Sequence, residues 1–363
     1  MRKEGRKYLH EVVHDTLKQE ILDGVYPYDI ILPSEREISL RFEVERTTVR
    51  KALEHLVDDG IVEKRAGVGT RVIYSPEGQQ HVCLNDDKLV GFFIVEDGVV
   101  NKKISQPFYA DLFYQVEDQC KKYCANVIYS TVKSLDDLAS MVAQRKFNGV
   151  IFASKTESHY VKAAEKQGVK VAQILGYNDY GLSIFYDSSG AGFLAVDYLI
   201  KKGHNNIALI TGPSDFHITN DRLSGVLLAF YQHGLVLDRR LVFEGNWEYE
   251  TGYKNAMNIL SKPKKRPTAI YCFNDMMALG AIQAISDSGL KIPQDISLMG
   301  NDNMSRLRTS ELVLTTVDTN IPVLAKVAIN YFFNTSLHYI DGMKIIAPVT
   351  LLEGDTVRNL NLP

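Results

Sequence analysis

Apolar residues fall near every third or fourth position from Leu9 to Ile21 (Leu9, Val12, Val13, Leu17, Ile21), which predicts an amphipathic helix stopped by Gly24. Pro33-Ser34-Glu35-Arg36-Glu37 then reads as a proline, an N-cap serine and an acidic first turn, so a short second helix starts there. Between Thr47 and Leu56, Val49, Leu53 and Leu56 share one face, with Arg46, Arg50 and Lys51 on or near the other. The stretch Ile61 to Ile73 is two short β runs around a glycine turn. Three helices and a hairpin thus lie between Tyr8 and Tyr74.

From Ser75 the periodicity fades, and 75–87 reads as a linker. Beyond it, apolar strands alternate with amphipathic helices. Strands are expected over Val90–Val95, Ala125–Ser130, Gly149–Ala153, Val169–Ile174, Ile207–Thr211, Ala269–Phe273 and Ile296–Gly300. Helices are expected over Tyr109–Tyr123, Leu135–Arg145, Gly190–Lys202, Arg222–His233, Tyr249–Lys262 and Met276–Ser288. Such alternation predicts an α/β fold with parallel sheets covered by helices, and this length suits two similar lobes. Ligands of such folds sit beyond the carboxyl ends of the strands.

Composition narrows the function. The 363 residues are 45% hydrophobic and 23% charged, which excludes disordered and collagen-like chains. No apolar run approaches the roughly 18 residues of a membrane span, and the charged start Met1–Lys7 is followed by no signal core, so the chain is expected in the cytoplasm, away from membranes. Four cysteines make no disulfide framework. Cys120 and Cys124 are four apart on an expected helix, yet nothing completes a ligand set, so both read as reduced structural thiols. No metal or cofactor is expected. An enzyme is disfavoured because there is no P-loop, no GxGxxG after a strand and no nucleophile elbow.

The first unit is a winged helix-turn-helix by its element order. Its motifs, Ile21-Leu22-Asp23-Gly24-Val25-Tyr26, Leu32-Pro33-Ser34-Glu35-Arg36, Arg46-Thr47-Thr48-Val49-Arg50-Lys51-Ala52-Leu53 and Gly67-Val68-Gly69-Thr70, resemble the DNA-binding domain of GntR-type regulators. Residues 88–363 are similar to the effector domain of LacI/GalR-type repressors. The matching pieces include Gln106-Pro107-Phe108-Tyr109, Gly203-His204-Asn205-Asn206, Asp221-Arg222-Leu223-Ser224-Gly225, Phe273-Asn274-Asp275-Met276 and Ile292-Pro293-Gln294-Asp295. The pairing resembles the architecture of arabinose repressors. It implies a winged domain over 1–74, a linker over 75–87 and a two-lobed, type I periplasmic-binding-protein-like sensor with parallel sheets over 88–363. Three departures stand out. Glu45 sits where the GntR pattern usually has Ser or Thr, Leu352-Glu353-Gly354-Asp355-Thr356 replaces an Arg and a Ser, and the linker lacks an alanine-rich hinge helix.

Net charge does not argue for DNA: residues 1–74 hold 13 Lys/Arg against 14 Asp/Glu. Distribution does. Arg46, Thr47 and Arg50 belong to the helix that such motifs push into the major groove, where Arg bonds guanine O6 and N7. Arg36, Thr48, Arg65 and the wing around Gly67 suit phosphate or minor-groove contacts. A solvated helix face is the bland alternative for these charges. One winged domain has a small footprint, so a homodimer on inverted half-sites of operator DNA is expected.

A sugar needs carboxylates, amides and an Arg for its hydroxyls, plus an aromatic for its apolar face. The resemblance places Arg222, Asn274 and Asp302 at loops between the lobes, with Phe185 and Trp247, the sole Trp, as stacking surfaces. Trp247 could equally be packing, Arg222 and Asp302 could form a plain salt bridge, and Asp275 suits a helix cap better than a ligand contact. The resemblance implies a repressor released by a pentose such as L-arabinose. A deoxyhexose such as L-fucose, a nucleoside or a sugar phosphate is the nearer alternative, and a secreted sugar-binding protein the further one.

Overall fold

The computed structural model describes residues 9–23, 25–26, 30–65, 69–72, 74, 88–95, 104, 106–154, 156–177, 179–261, 266–304, 312–334, 339–340 and 342–361. The chain divides into two compact units, Met1–Leu84 and Asn85–Pro363. Gly24, Gly67 and the linker expected over 75–87 lie outside the described residues, as does the Arg65 side chain.

The smaller unit has helices α1 (Leu9–Leu22), α2 (Glu35–Phe42) and α3 (Arg46–Asp58), then strands β1 (Val62–Arg65) and β2 (Gly69–Val72). The two strands pair antiparallel, Val62 with Val72 and Arg65 with Gly69. Ser34 caps α2: it accepts from the Glu37 amide while the Glu37 carboxylate accepts from Ser34, which draws the Glu37 carboxyl below its ordinary value. The core joins Val13, Leu17 and Ile21 of α1 to Val49, Ala52, Leu53 and Leu56 of α3. Fully burying each large side chain is worth about 1.5–3 kcal/mol. Leu9 and Val12, expected on the apolar face of α1, are instead exposed, at 65% and 43%. The core-facing stripe of α1 is narrower than its apolar sequence suggests.

The larger unit runs β3 (Lys88–Val95), α4 (Pro107–Lys121), β4 (Ala125–Val132), α5 (Leu135–Gln144), β5 (Gly149–Ala153), α6 (Ser158–Glu165), β6 (Lys170–Ile174) and β7 (Leu182–Tyr186). Then come α7 (Ser188–Lys201), β8 (Ile207–Thr211), α8 (His217–Gln232), β9 (Val242–Glu244), α9 (Tyr249–Leu260), β10 (Ala269–Cys272), α10 (Asp275–Asp287) and β11 (Ser297–Met299). The chain finishes with β12 (Thr316–Asp318), α11 (Ile321–Phe333), β13 (Lys344–Ala347) and β14 (Thr350–Leu352).

Two parallel sheets form the lobes. The first has order β13-β7-β6-β5-β3-β4 and the second β11-β10-β8-β9, while β12 and β14 form an antiparallel pair. Helices cover both faces of the first sheet, with Leu112, Val116 and Ile329 on one side and Leu138, Val142 and Val161 on the other. The second lobe packs α7, α8, α9 and α10 around its sheet. The chain passes between lobes three times, at β7 to α7, at β12 to α11 and at β13 to β14, where Val349 packs against both cores. Cys124 falls beyond the end of α4 with φ +52°, so it does not share a helix face with Cys120. Burial pushes the Cys120 thiol up to about 12, which suits an inert structural residue.

Candidate functional site

The strand ends of the two lobes face a cleft of about 460 Å³, open mouth included. Its lining comes from both sides: Gln106, Pro107 and Phe108 at the start of α4, Trp247 and Glu248 ahead of α9, Asn274 and Met276 at α10, and Asp302 and Met304 after β11. Of the residues singled out by sequence, Trp247, Asn274 and Asp302 are in this lining. The mixture of aromatic, amide and carboxylate groups suits a small polar ligand.

Phe185 and Arg222 occupy other places. Phe185 is buried under Tyr177, whose ring stacks on it at 4.2 Å, and the His217 ring meets it edge-on at 5.7 Å. Arg222, 1% exposed, is outside the lining and donates to the Tyr186 hydroxyl at 2.7 Å and to the Phe273 carbonyl. Its Nε is buried without a partner. The expected direct pairing with Asp302 is not made; the Asp302 carboxylate accepts from Asn301 Nδ2 at 3.0 Å. Burial drives the Asp302 carboxyl up to about 8, with the Asp275 and Asp318 charges adding to the rise and Arg222 opposing it.

The α10 start corrects one expectation. Asn274, not Asp275, is the cap, its Oδ1 accepting from the Met277 amide at 2.9 Å. Asp275 is structural by another route. Its carboxylate accepts from the Met304 amide at 2.9 Å and the Thr316 hydroxyl at 2.8 Å, and burial raises it to about 6. Gln106 and Glu248 were absent from the sequence-derived site. They join the lobes, Gln106 Nε2 donating to Glu248 Oε1 at 2.7 Å. A second bridge runs from the Tyr177 hydroxyl to Asp221 at 3.3 Å. The sequence signal for Gln106 was the Gln-Pro-Phe-Tyr segment; Glu248 has none beyond its position beside the lone Trp.

In the smaller unit, Arg46, Thr47 and Arg50 lie exposed on one face of α3, opposite its buried stripe, and Thr48 is half-buried. Arg36 is exposed in the first turn of α2. Arg50 is held by Glu35, Nη2 to Oε2 at 3.1 Å. Glu45 occupies the α3 N-cap position without capping, and its carboxylate accepts from the Thr47 hydroxyl at 3.2 Å. Arg41 is engaged by Glu20 and Tyr26, away from this face. Lys51 and Lys64 are exposed nearby in sequence.

Comparison with known proteins follows the same division. Residues 96–328 match the family of periplasmic binding proteins and the sugar binding domain of the LacI family. Residues 9–72 match bacterial regulatory proteins of the gntR family. An HTH-type transcriptional repressor PurR of Edwardsiella ictaluri is 30% identical over 297 residues, 78% of this chain and 84% of that protein. The PurR of Erwinia tasmaniensis is 28% identical over 307 residues, 81% and 88% of the two chains. Among solved structures, a LacI transcriptional regulator from a Rhodococcus species has a TM-score of 0.64 at 22% identity, covering 75% of this chain and 99% of that one. A transcriptional regulator CelR–cellobiose complex has a TM-score of 0.64 at 19% identity, covering 90% and 100%.

Proposed function

This chain belongs to the family of periplasmic binding proteins and LacI-type sugar-binding domains, with a gntR-family regulatory domain at its N-terminus, and we propose that it is a cytoplasmic repressor that a small neutral sugar releases from operator DNA. The observation that carries the ligand half is the cleft lining: two carboxylates, Glu248 and Asp302, two amides, Gln106 and Asn274, and the apolar faces of Phe108 and Trp247. Hydroxyls donate to the carboxylates and accept from the amides, and an aromatic face suits the C–H side of a sugar ring. No Lys or Arg lines the cleft among the described residues, which favours a neutral pentose such as L-arabinose over a sugar phosphate. The cellobiose in the CelR complex supports a sugar as well.

On the DNA side, Arg46, Thr47 and Arg50 read base edges in the major groove, and Arg36, Thr48, Arg65 and Gly67 contact the backbone or minor groove. Two winged units of a homodimer bind inverted half-sites. Ligand bound between the lobes changes their closure and with it the spacing of the winged units. To turn DNA binding from 99:1 to 1:99, the ligand must prefer the released state by about 5.5 kcal/mol.

Calorimetric titration of the purified protein with L-arabinose, D-xylose, L-fucose, D-galactose, D-ribose, a nucleoside and a purine base tests the ligand class. Micromolar binding of one neutral sugar supports the reading. Binding of only the nucleoside or the base, or of none, retires it.

A further inference from the structure

We infer that Glu45 is a specificity-determining residue, its carboxylate accepting a hydrogen bond from the 4-amino group of a cytosine in the major groove. This role rests on the DNA-binding reading of α3 and adds a carboxylate to the arginines proposed there. Glu45 holds the N-cap position of α3, where Ser, Thr, Asp or Asn would satisfy a free amide of the first turn, yet its side chain makes no cap bond. Its Oε2 accepts instead from the Thr47 hydroxyl at 3.2 Å. The helix dipole favours a carboxylate at this end, which accounts for the charge being tolerated but not for its replacing a capping side chain.

The backbone is tied down on both sides of Glu45. The Val44 carbonyl, in the peptide that enters Glu45, accepts from the Ser39 hydroxyl at 2.6 Å, and the Glu45 carbonyl accepts from the amides of Thr48 and Val49 at 3.0 and 3.2 Å. The side chain is exposed beside those of Arg46 and Thr47. Neighbouring carboxylates are already engaged, Glu20 by Arg41, Glu35 by Arg50 and Glu37 by Ser34. Glu45 is bound to no cation among the described residues. Thr47 spends its only hydroxyl proton on Glu45, so the two side chains together present acceptors alone. In the major groove guanine and thymine offer acceptors, adenine a donor beside an acceptor, and cytosine a donor without one. A pair of acceptor side chains therefore selects cytosine, while Arg46 and Arg50 supply the donors that guanine takes.

Selection of duplexes from a random pool by the full-length wild type, Glu45→Ser and Glu45→Gln reads the base preference position by position. Glu45→Ser supplies a capping hydroxyl, so α3 is kept. The wild type is expected to enrich one cytosine in each half-site, and replacing that C·G pair by T·A should weaken its binding roughly tenfold. In Glu45→Ser the preference should vanish at that position alone, with the other positions unaltered. Glu45→Gln, which carries a donor beside an acceptor, should shift the preference toward adenine. If Glu45→Ser keeps the wild-type preference at every position, the inference is overturned, and tighter binding of all duplexes alike would then make Glu45 a carboxylate that merely repels phosphate. A wild type that enriches no repeat fails the DNA-binding reading itself and takes the role of Glu45 with it.

Discussion

Gln106 and Glu248 each stand immediately before a helix, α4 and α9, yet neither side chain caps its own helix; each is spent on the other across the cleft at 2.7 Å. A carboxylate between two helix N-termini is favoured by both dipoles. The pair therefore bridges the two lobes within the cleft lining.

Glu248→Ala removes the bridge and one carboxylate of the cleft. A hydrogen bond to a charged, half-exposed group is worth about 1 kcal/mol, so ligand affinity should fall severalfold. Small-angle scattering of the ligand-bound variant should indicate wider-set lobes than in the bound wild type. Unchanged affinity and unchanged scattering would show the bridge to be incidental.

Arg50 carries the clearest prediction for DNA. It lies on the exposed face of α3 and is held by Glu35 from the start of α2. A bidentate contact to guanine contributes about 1–3 kcal/mol of discrimination. Arg50→Ala should therefore weaken a selected inverted repeat by about 10- to 100-fold while random DNA loses far less. Equal losses on both would reduce Arg50 to a phosphate contact.

Asp302 predicts a pH dependence. Its folded carboxyl is raised from 3.8 to about 8, so between those values the folded chain holds a proton that the unfolded chain has released. The group's contribution to stability is full below pH 3.8 and is lost as pH climbs toward about 8. A sugar hydroxyl donating to the carboxylate favours its ionised form, so ligand binding expels a proton and tightens as pH rises from 6 toward 8. Calorimetry in buffers of different ionisation enthalpy reads the released proton. Asp302→Asn should abolish it; a pH-independent Kd in the wild type would contradict the assignment.

Much of this was legible in the chain. The recognition helix could be read because Val49, Leu53 and Leu56 recur at helical period, and Pro33 with the N-cap Ser34 announced the start of α2. The strands of the second lobe could be read as apolar runs of buried length, such as Ile207–Thr211. Helix α11, Ile321–Phe333, escaped because it is apolar nearly all round and has no polar stripe to mark its period. β7, Leu182–Tyr186, escaped as a short run with weak boundaries. The site was half legible. Trp247, Asn274 and Asp302 belong to recognisable segments, but Gln106 and Glu248 are 142 residues apart in sequence and meet only in the folded chain. The left-handed turn at Trp247 carries no glycine to announce it. Arg222 and Phe185, the other two candidates, are buried and lie outside the cleft lining.

Leu53→Ala separates the two units thermodynamically. Leu53 is 1% exposed in the core of the smaller unit, so truncation should cost that unit about 2–5 kcal/mol. Calorimetric unfolding should move the transition of the smaller unit down while sugar binding by the larger one is unaltered. A matching loss of sugar affinity would mean the two units do not fold independently.

The most direct test of the central claim uses duplex DNA that the full-length protein selects from a random pool, followed by fluorescence anisotropy with and without each sugar that binds. The account predicts enrichment of an inverted repeat and a Kd for it that rises at least tenfold when the bound sugar saturates the cleft. DNA affinity that stays the same in the presence of every sugar shown to bind would contradict it.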